Sequence, residues 1–105
     1  MSQEFPELGI YTLPGRISDP HRILDEVPLA ESLGIGSIWP AERYDFKNVE
    51  VLFGAAAAIS KDIKIATGLM NYPTHHPMEL CSFGATGACA TDAARKQWQL
   101  VLLVC

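Results

Sequence analysis

Two short stretches of this 105-residue chain gather side chains able to do chemistry. Glu42-Arg43 sets a carboxylate beside a guanidinium. Further on, Thr67-Gly68-Leu69 runs into Asn71, Tyr72, His75 and His76. Glu42, Arg43 and His75 are the candidate acid, base and charge-bearing groups, because carboxylate and imidazole are the usual carriers of protons in catalysis. Each also has a plainer reading. Glu42-Arg43 could be a solvated surface pair, which contributes little. His75 and His76 could simply open a helix at Pro77, since adjacent helical residues point in different directions. Gly68 could end a strand through its backbone freedom, and Trp39 reads more readily as core than as a platform for a ligand.

Sequence motifs narrow the chemistry. Gly34-Ile35-Gly36 begins like a dinucleotide fingerprint, but it precedes a strand, whereas that fingerprint must follow a strand and open a helix. GxxxxGK[ST], GxSxG and HExxH are all absent. Cys81, Cys89 and Cys105 are odd in number and lack CxxC spacing, so reduced thiols in a cytoplasmic protein are expected rather than a disulfide framework. A metal-dependent hydrolase built on Glu42, His75 and His76 has no motif behind it, and no metal site is expected.

The elements that must position these groups repeat. Gly9 to Leu13 is a short β-prone run stopped by Pro14-Gly15. Asp19-Pro20 then offers a cap and a first-turn proline for a helix carrying Ile23, Leu24, Val27, Ala30 and Leu33 and closed by Gly34, with Pro28 expected to kink it. Gly36 to Trp39 is a second strand ending at Pro40, and Asn48 can cap a helix from Val49 to Ser60 whose residues Ala55 to Ala58 allow close packing on a sheet. Ile63 to Thr67 is a third strand, followed by a helix from Pro77 through Phe83. Strand starts at Gly9, Gly36 and Ile63 are 27 residues apart in both intervals, which argues for βαβ crossovers and a parallel sheet. Candidate site residues then fall at the C-terminal ends of strands, where parallel α/β folds place their sites.

Composition sets the outer limits. With 49% hydrophobic and 19% charged residues the chain has ordinary globular chemistry. A net charge of −4 offers no field for a nucleic-acid backbone or an anionic membrane surface. Residues 1–8 have no apolar core of a secretory signal, and Leu100–Cys105 is far shorter than the ~20 residues of a membrane span. Neither nucleic acid nor membrane is an expected partner.

The ordered series GIYTLP, LAESLG, SIWPAERY, IKIATGL and THHPMEL resembles the N-terminal part of the luciferase-like monooxygenase superfamily, over about Gly9 to Thr86. The resemblance implies the first three to four βα units of a (β/α)8 TIM barrel, with a reduced flavin or deazaflavin at the C-terminal mouth and hydride transfer or oxygen activation on a small-molecule substrate. The PAER turn is most similar to the branch using coenzyme F420, and FMN-dependent members share the layout. Tyr11, Leu13, Thr67, Gly68 and Leu69 are the implied cofactor-binding residues. Glu42 and Arg43 occupy the place where the family often has an acidic residue and a histidine, so Arg43 departs from the pattern. Gly68-Leu69 matches the position of a strained cis peptide in many members, a bond that costs about 3 kcal/mol.

Domain organisation follows as a leader over residues 1–8, a partial barrel over 9–86 and a divergent tail over 87–105. A fourth strand at the same spacing would start near residue 90, yet the strand-like run Trp98–Val104 lies about eight residues later. The tail reads as a substitute strand or as the product of a frameshift, altered splicing or a misassigned gene end. A complete barrel takes ~250 residues. Three or four strands leave an open edge and an uncovered face, so self-association through that edge is expected, with no cofactor bound tightly and no measurable oxidoreductase turnover by this chain alone. The alternative is a non-catalytic half-barrel that works by pairing its edge with another chain.

Overall fold

The computed structural model describes residues 4–14, 16, 19–43, 47–71 and 74–90. Strands and helices alternate: β1 (Phe5–Thr12), a 3-10 turn (Pro20–Arg22) running into α1 (Ile23–Ser32), β2 (Ile35–Pro40), α2 (Val49–Ile59), β3 (Lys64–Ile65) and α3 (Pro77–Ala90).

Local chemistry sets the helix ends. The Asp19 side chain accepts a 3.0 Å hydrogen bond from His21 N, with Pro20 at the first helical position. Gly34 closes α1 at φ 76°, a left-handed conformation that glycine adopts without Cβ strain, and donates its N–H to Glu31 O at 3.1 Å. Asn48 Oδ1 accepts from Val51 N at 3.0 Å and starts α2. Pro28 does not interrupt α1, which runs through it on the exposed side.

The three strands are parallel and lie in the order β1-β2-β3. Tyr11 pairs with Trp39, and Ile38 with both Ile10 and Ile65. Each crossover therefore steps one strand in the same direction, as in a barrel wall, and among the described strands there is no reversal of the kind that divides a doubly wound sheet. Beyond β3 the backbone stays in register, since Ala66 N donates to Ile38 O at 3.0 Å and Gly68 N to Pro40 O at 2.9 Å.

One face of this sheet holds the core. Ile23, Val27 and Ala30 of α1 and Leu52, Phe53 and Ala56 of α2 pack with Ile38 and Ile65, all at 5% exposure or less. Phe83 brings α3 onto α2 through an edge-on contact with Phe53, ring centroids 5.1 Å apart. Glu31 at the end of α1 accepts from Lys61 N and Asp62 N, at 2.9 and 2.8 Å, and so fixes the turn into β3. On the opposite face no described helix packs, and Tyr11 is 61% exposed there.

Element bounds differ from the sequence expectation at β1, at α3 and at β3, which is confined to Lys64–Ile65 where Ile63 to Thr67 was expected. β1 begins at Phe5, inside the segment read as a leader, because Phe5 N donates to Gly34 O at 2.9 Å and carries the pairing backward. Pro6 is tolerated because β1 is an edge of the described sheet. α3 continues to Ala90, beyond the expected end at Phe83 and past Thr86. The expected strand at Trp98–Val104 lies outside the described residues.

Candidate functional site

The C-terminal ends of the three strands form a rim that the loops beyond them lace together. β2 ends at Pro40, and Glu42 turns inward with its side chain 2% exposed. Its Oε1 accepts from Val49 N at 3.3 Å, at the start of α2, and its Oε2 accepts from Asn71 N at 2.8 Å, in the loop beyond β3. His75 Nε2 stands 3.0 Å from Oε2 and 3.1 Å from Oε1. A carboxylate that already accepts two backbone N–H bonds meets Nε2 as a further donor, so this nitrogen carries the ring proton. The His75 side chain is itself 7% exposed. Glu42 is thus a buried hub and not a solvated surface charge.

Lys47 makes the second tie. Its side chain is buried and its Nζ donates to the carbonyl of Leu13, at the end of β1. Burial pushes the Lys47 ammonium below the ordinary lysine value, and the neighbouring Arg43 guanidinium pushes in the same direction. Leu13 adopts φ 52°, a region that non-glycine residues seldom occupy. Its side chain is held in the helix-side core at 1% exposure, so core packing and the Lys47 bond together keep the strand end in that conformation.

A third group sits on the open face. Tyr11 and Trp39 are register partners there, and Trp39 Nε1 donates to Ser37 Oγ at 2.9 Å. A Cβ at Gly68 would lie 2.7 Å from Tyr11 Cε1 and 3.1 Å from Trp39 Cβ. Gly68 is therefore required for space rather than for an unusual φ, since Gly34 is the described glycine at positive φ.

Of the residues singled out in the sequence, the fold brings Glu42 to His75 and brings Tyr11 to Gly68. Leu13 offers its carbonyl to the rim while its side chain points into the core. Thr67 is fully buried, and Leu69 is 38% exposed beside it. Arg43 is exposed, with its backbone paired to that of Lys47 through bonds of 3.1 and 2.7 Å. His76 takes the helix-opening part, its Nδ1 accepting from Met78 N at 3.1 Å. The Gly68–Leu69 peptide is trans, as is every peptide bond among the described residues. Sequence reasoning missed Lys47, Glu50 and Glu79. Glu50 Oε1 lies 3.3 Å from His75 Nδ1. The available signal was position alone: Glu50 and Glu79 fall in the first turns of the helices that follow the second and third strands.

Comparison with known proteins agrees with this architecture. The family model for luciferase-like monooxygenases matches residues 5–91. No curated protein matches the chain. Among solved structures, the coenzyme F420-dependent tetrahydromethanopterin reductase of Methanopyrus kandleri superposes with a TM-score of 0.76 at 24% identity, covering 95% of this chain and 27% of that one. The oxygenating constituent of 3,6-diketocamphane monooxygenase from the CAM plasmid of Pseudomonas putida, a type II Baeyer–Villiger monooxygenase in complex with FMN, superposes with a TM-score of 0.70 at 24% identity, covering 91% of this chain and 29% of that one. The chain spans less than a third of the length of either structure.

Proposed function

The chain belongs to the luciferase-like monooxygenase family, and on that premise we propose that it forms part of an oxidoreductase holding a reduced flavin or deazaflavin at the C-terminal rim of its strands. The observation that carries the proposal is the pair of aromatic register partners on the open face, the Tyr11 ring lying over Gly68 and the Trp39 indole over Gly9. Two aromatic side chains on an uncovered sheet face, each lying against a glycine that leaves it room, make one wall suited to a planar ring. Bound there, such a cofactor supplies hydride transfer or oxygen activation. F420 is the first candidate, on the Pro40-Ala41-Glu42-Arg43 turn, and FMN the alternative.

The chain's own residues hold and orient. Tyr11, Gly68 and Leu69 line the wall, while Leu13 and Thr67 support it from the buried side. Glu42 fixes the ring of His75 and the loop at Asn71, so both act on the site by positioning. Arg43 is an exposed cation at the rim, and its role in this reading is to meet an anionic group of a cofactor or small-molecule substrate. The free thiols of Cys81 and Cys89 favour a cytoplasmic setting. Among the described residues no helix is long and apolar enough to cross a membrane.

The test is fluorescence quenching of the purified chain by FMN and by F420, alongside assay of substrate reduction with FMNH2 and F420H2. Saturable quenching lost in Tyr11→Ala, without turnover, is the expected result. Quenching by neither compound overturns the cofactor wall. Turnover by the 105-residue chain overturns the reading that it is one part of a larger catalytic unit. The uncovered sheet face also favours a second reading, a half-barrel that associates through that face and its edge, which light scattering on a size-exclusion eluate tests.

A further inference from the structure

His75 stands between two carboxylates, and its second nitrogen lacks a donor or acceptor of the right kind. With Nε2–H given to Glu42, a ring carrying one proton presents a bare lone pair at Nδ1. That lone pair faces Glu50 Oε1 at 3.3 Å. Both atoms are shut off from solvent, and neither has a hydrogen-bond partner among the described residues. Two buried acceptors confronting one another repel unless something positive stands between them. Glu79 adds a third group. Single ligand atoms from Glu50, His75 and Glu79 all lie within 4.8 Å of one another.

We propose that His75 Nδ1, Glu50 and Glu79 form a binding site for a divalent transition-metal ion of the zinc class, with Glu42 as the outer carboxylate that fixes the imidazole. Four observations support it. A tetrahedral ion with bonds of ~2.0–2.1 Å has ligand-to-ligand edges of about 3.4 Å, close to the 3.3 Å between Nδ1 and Oε1. The arrangement of carboxylate, histidine and open nitrogen is the one by which proteins commonly orient a metal-binding imidazole. The carboxylates of Glu42, Glu50 and Glu79 together oppose the positive ends of α2 and α3 and leave net negative charge for a dication. Glu50 and Glu79 also border an apolar groove of about 480 Å³ between α2 and α3, walled by Phe53 and Phe83, which gives an ion a path in and a place for a water or other fourth ligand.

Burial, then the Glu79 carboxylate, push the Glu50 carboxyl above its ordinary range, and the same crowding of negative charge favours a cation among them. The three ligands come from the first turn of α2, the loop before α3 and the first turn of α3, so no contiguous motif announces them. This departs from the expectation of no metal, and it is independent of the flavin reading.

The test is titration of the purified, chelator-dialysed chain with ZnCl2 and CoCl2, read by calorimetry, Tm and absorption. One equivalent should bind and raise the Tm, and cobalt should give a visible band of nitrogen and oxygen ligation without a thiolate-to-cobalt band. Glu79→Gln, at an exposed position that leaves the buried network intact, should weaken binding at least tenfold. Glu42→Gln should weaken it by about 10–100-fold through the loosened imidazole. Absence of saturable binding overturns the proposal and leaves a shared proton between His75 and Glu50. A thiolate band, or unchanged affinity in Glu79→Gln, also overturns it by placing the ion on Cys81, Cys89 or elsewhere.

Discussion

Glu42 and His75, 33 residues apart in sequence, meet at 3.0 Å with both side chains buried. The contact joins the loop beyond β2 to the loop beyond β3, and the same carboxylate holds the start of α2. Its stabilisation lies in what is left behind when one partner goes. Truncation to alanine strands two backbone N–H groups and the His75 Nε2–H inside the protein, a loss of the kind that costs about 3–5 kcal/mol.

Glu42→Ala is therefore expected to lower the urea midpoint by an amount matching about 3–5 kcal/mol at unchanged slope. Glu42→Gln keeps one acceptor oxygen and should lose less. In Glu42→Ala/His75→Leu the stranded imidazole is gone, so part of the loss should return. A Glu42→Ala midpoint within error of the parent would mean that the loops are held by something else.

Lys47 predicts a pH dependence of definite sign. Its native pKa is lowered by burial, then by Arg43, while the unfolded chain titrates near 10.4. Between those two values the unfolded state binds more protons than the native one, so stability rises with pH across that window. Lys47→Met removes the titration and leaves the Leu13 carbonyl without its donor. Urea midpoints taken from pH 8 to 10.5 should show the parent gaining on Lys47→Met as pH rises, and a constant difference would refute the assignment.

Gly68→Ala should act through Tyr11. The new Cβ would lie 2.7 Å from Tyr11 Cε1, but the Tyr11 ring is exposed and free to swing aside. A loss of about 1 kcal/mol is expected, at the low end for overpacking, together with a changed near-ultraviolet dichroism as Trp39 and Tyr11 reorient. Tyr11→Ala should relieve part of that penalty in the double variant, the close approach to Trp39 Cβ at 3.1 Å remaining. Additive effects in the cycle would show that the two positions do not touch.

How much of this was legible in the sequence depended on whether the signal was local. Asp19-Pro20, Gly34 and Asn48 mark helix ends by chemistry acting within three residues, and all three were readable. The 27-residue spacing fixed the alternation and the parallel sheet in the same way. Phe5–Leu8 was not readable as strand, because its pairing is set by the distant Gly34 carbonyl rather than by its own mixed composition. Glu42 and His75 could be picked as reactive types, but their meeting required the positions of two loops. No local pattern marks Lys47 or Glu50, and tertiary packing alone turned one toward Leu13 and the other toward His75.

The uncovered sheet face supplies the last prediction. Tyr11 stands 61% exposed and Phe5 45% exposed on β1, an edge of the described sheet whose outer backbone groups have no strand beside them among the described residues. An edge and an apolar face exposed together favour pairing with a second chain. Light scattering on the size-exclusion eluate should give a mass above the 11.5 kDa of one chain, rising with concentration. Tyr11→Glu places a charge on the face without disturbing the helix-side core, so it should shift the equilibrium toward monomer while leaving far-ultraviolet dichroism unchanged. A monomeric parent would remove the case for pairing through β1, and a Tyr11→Glu variant as large as the parent would place the contact away from this face.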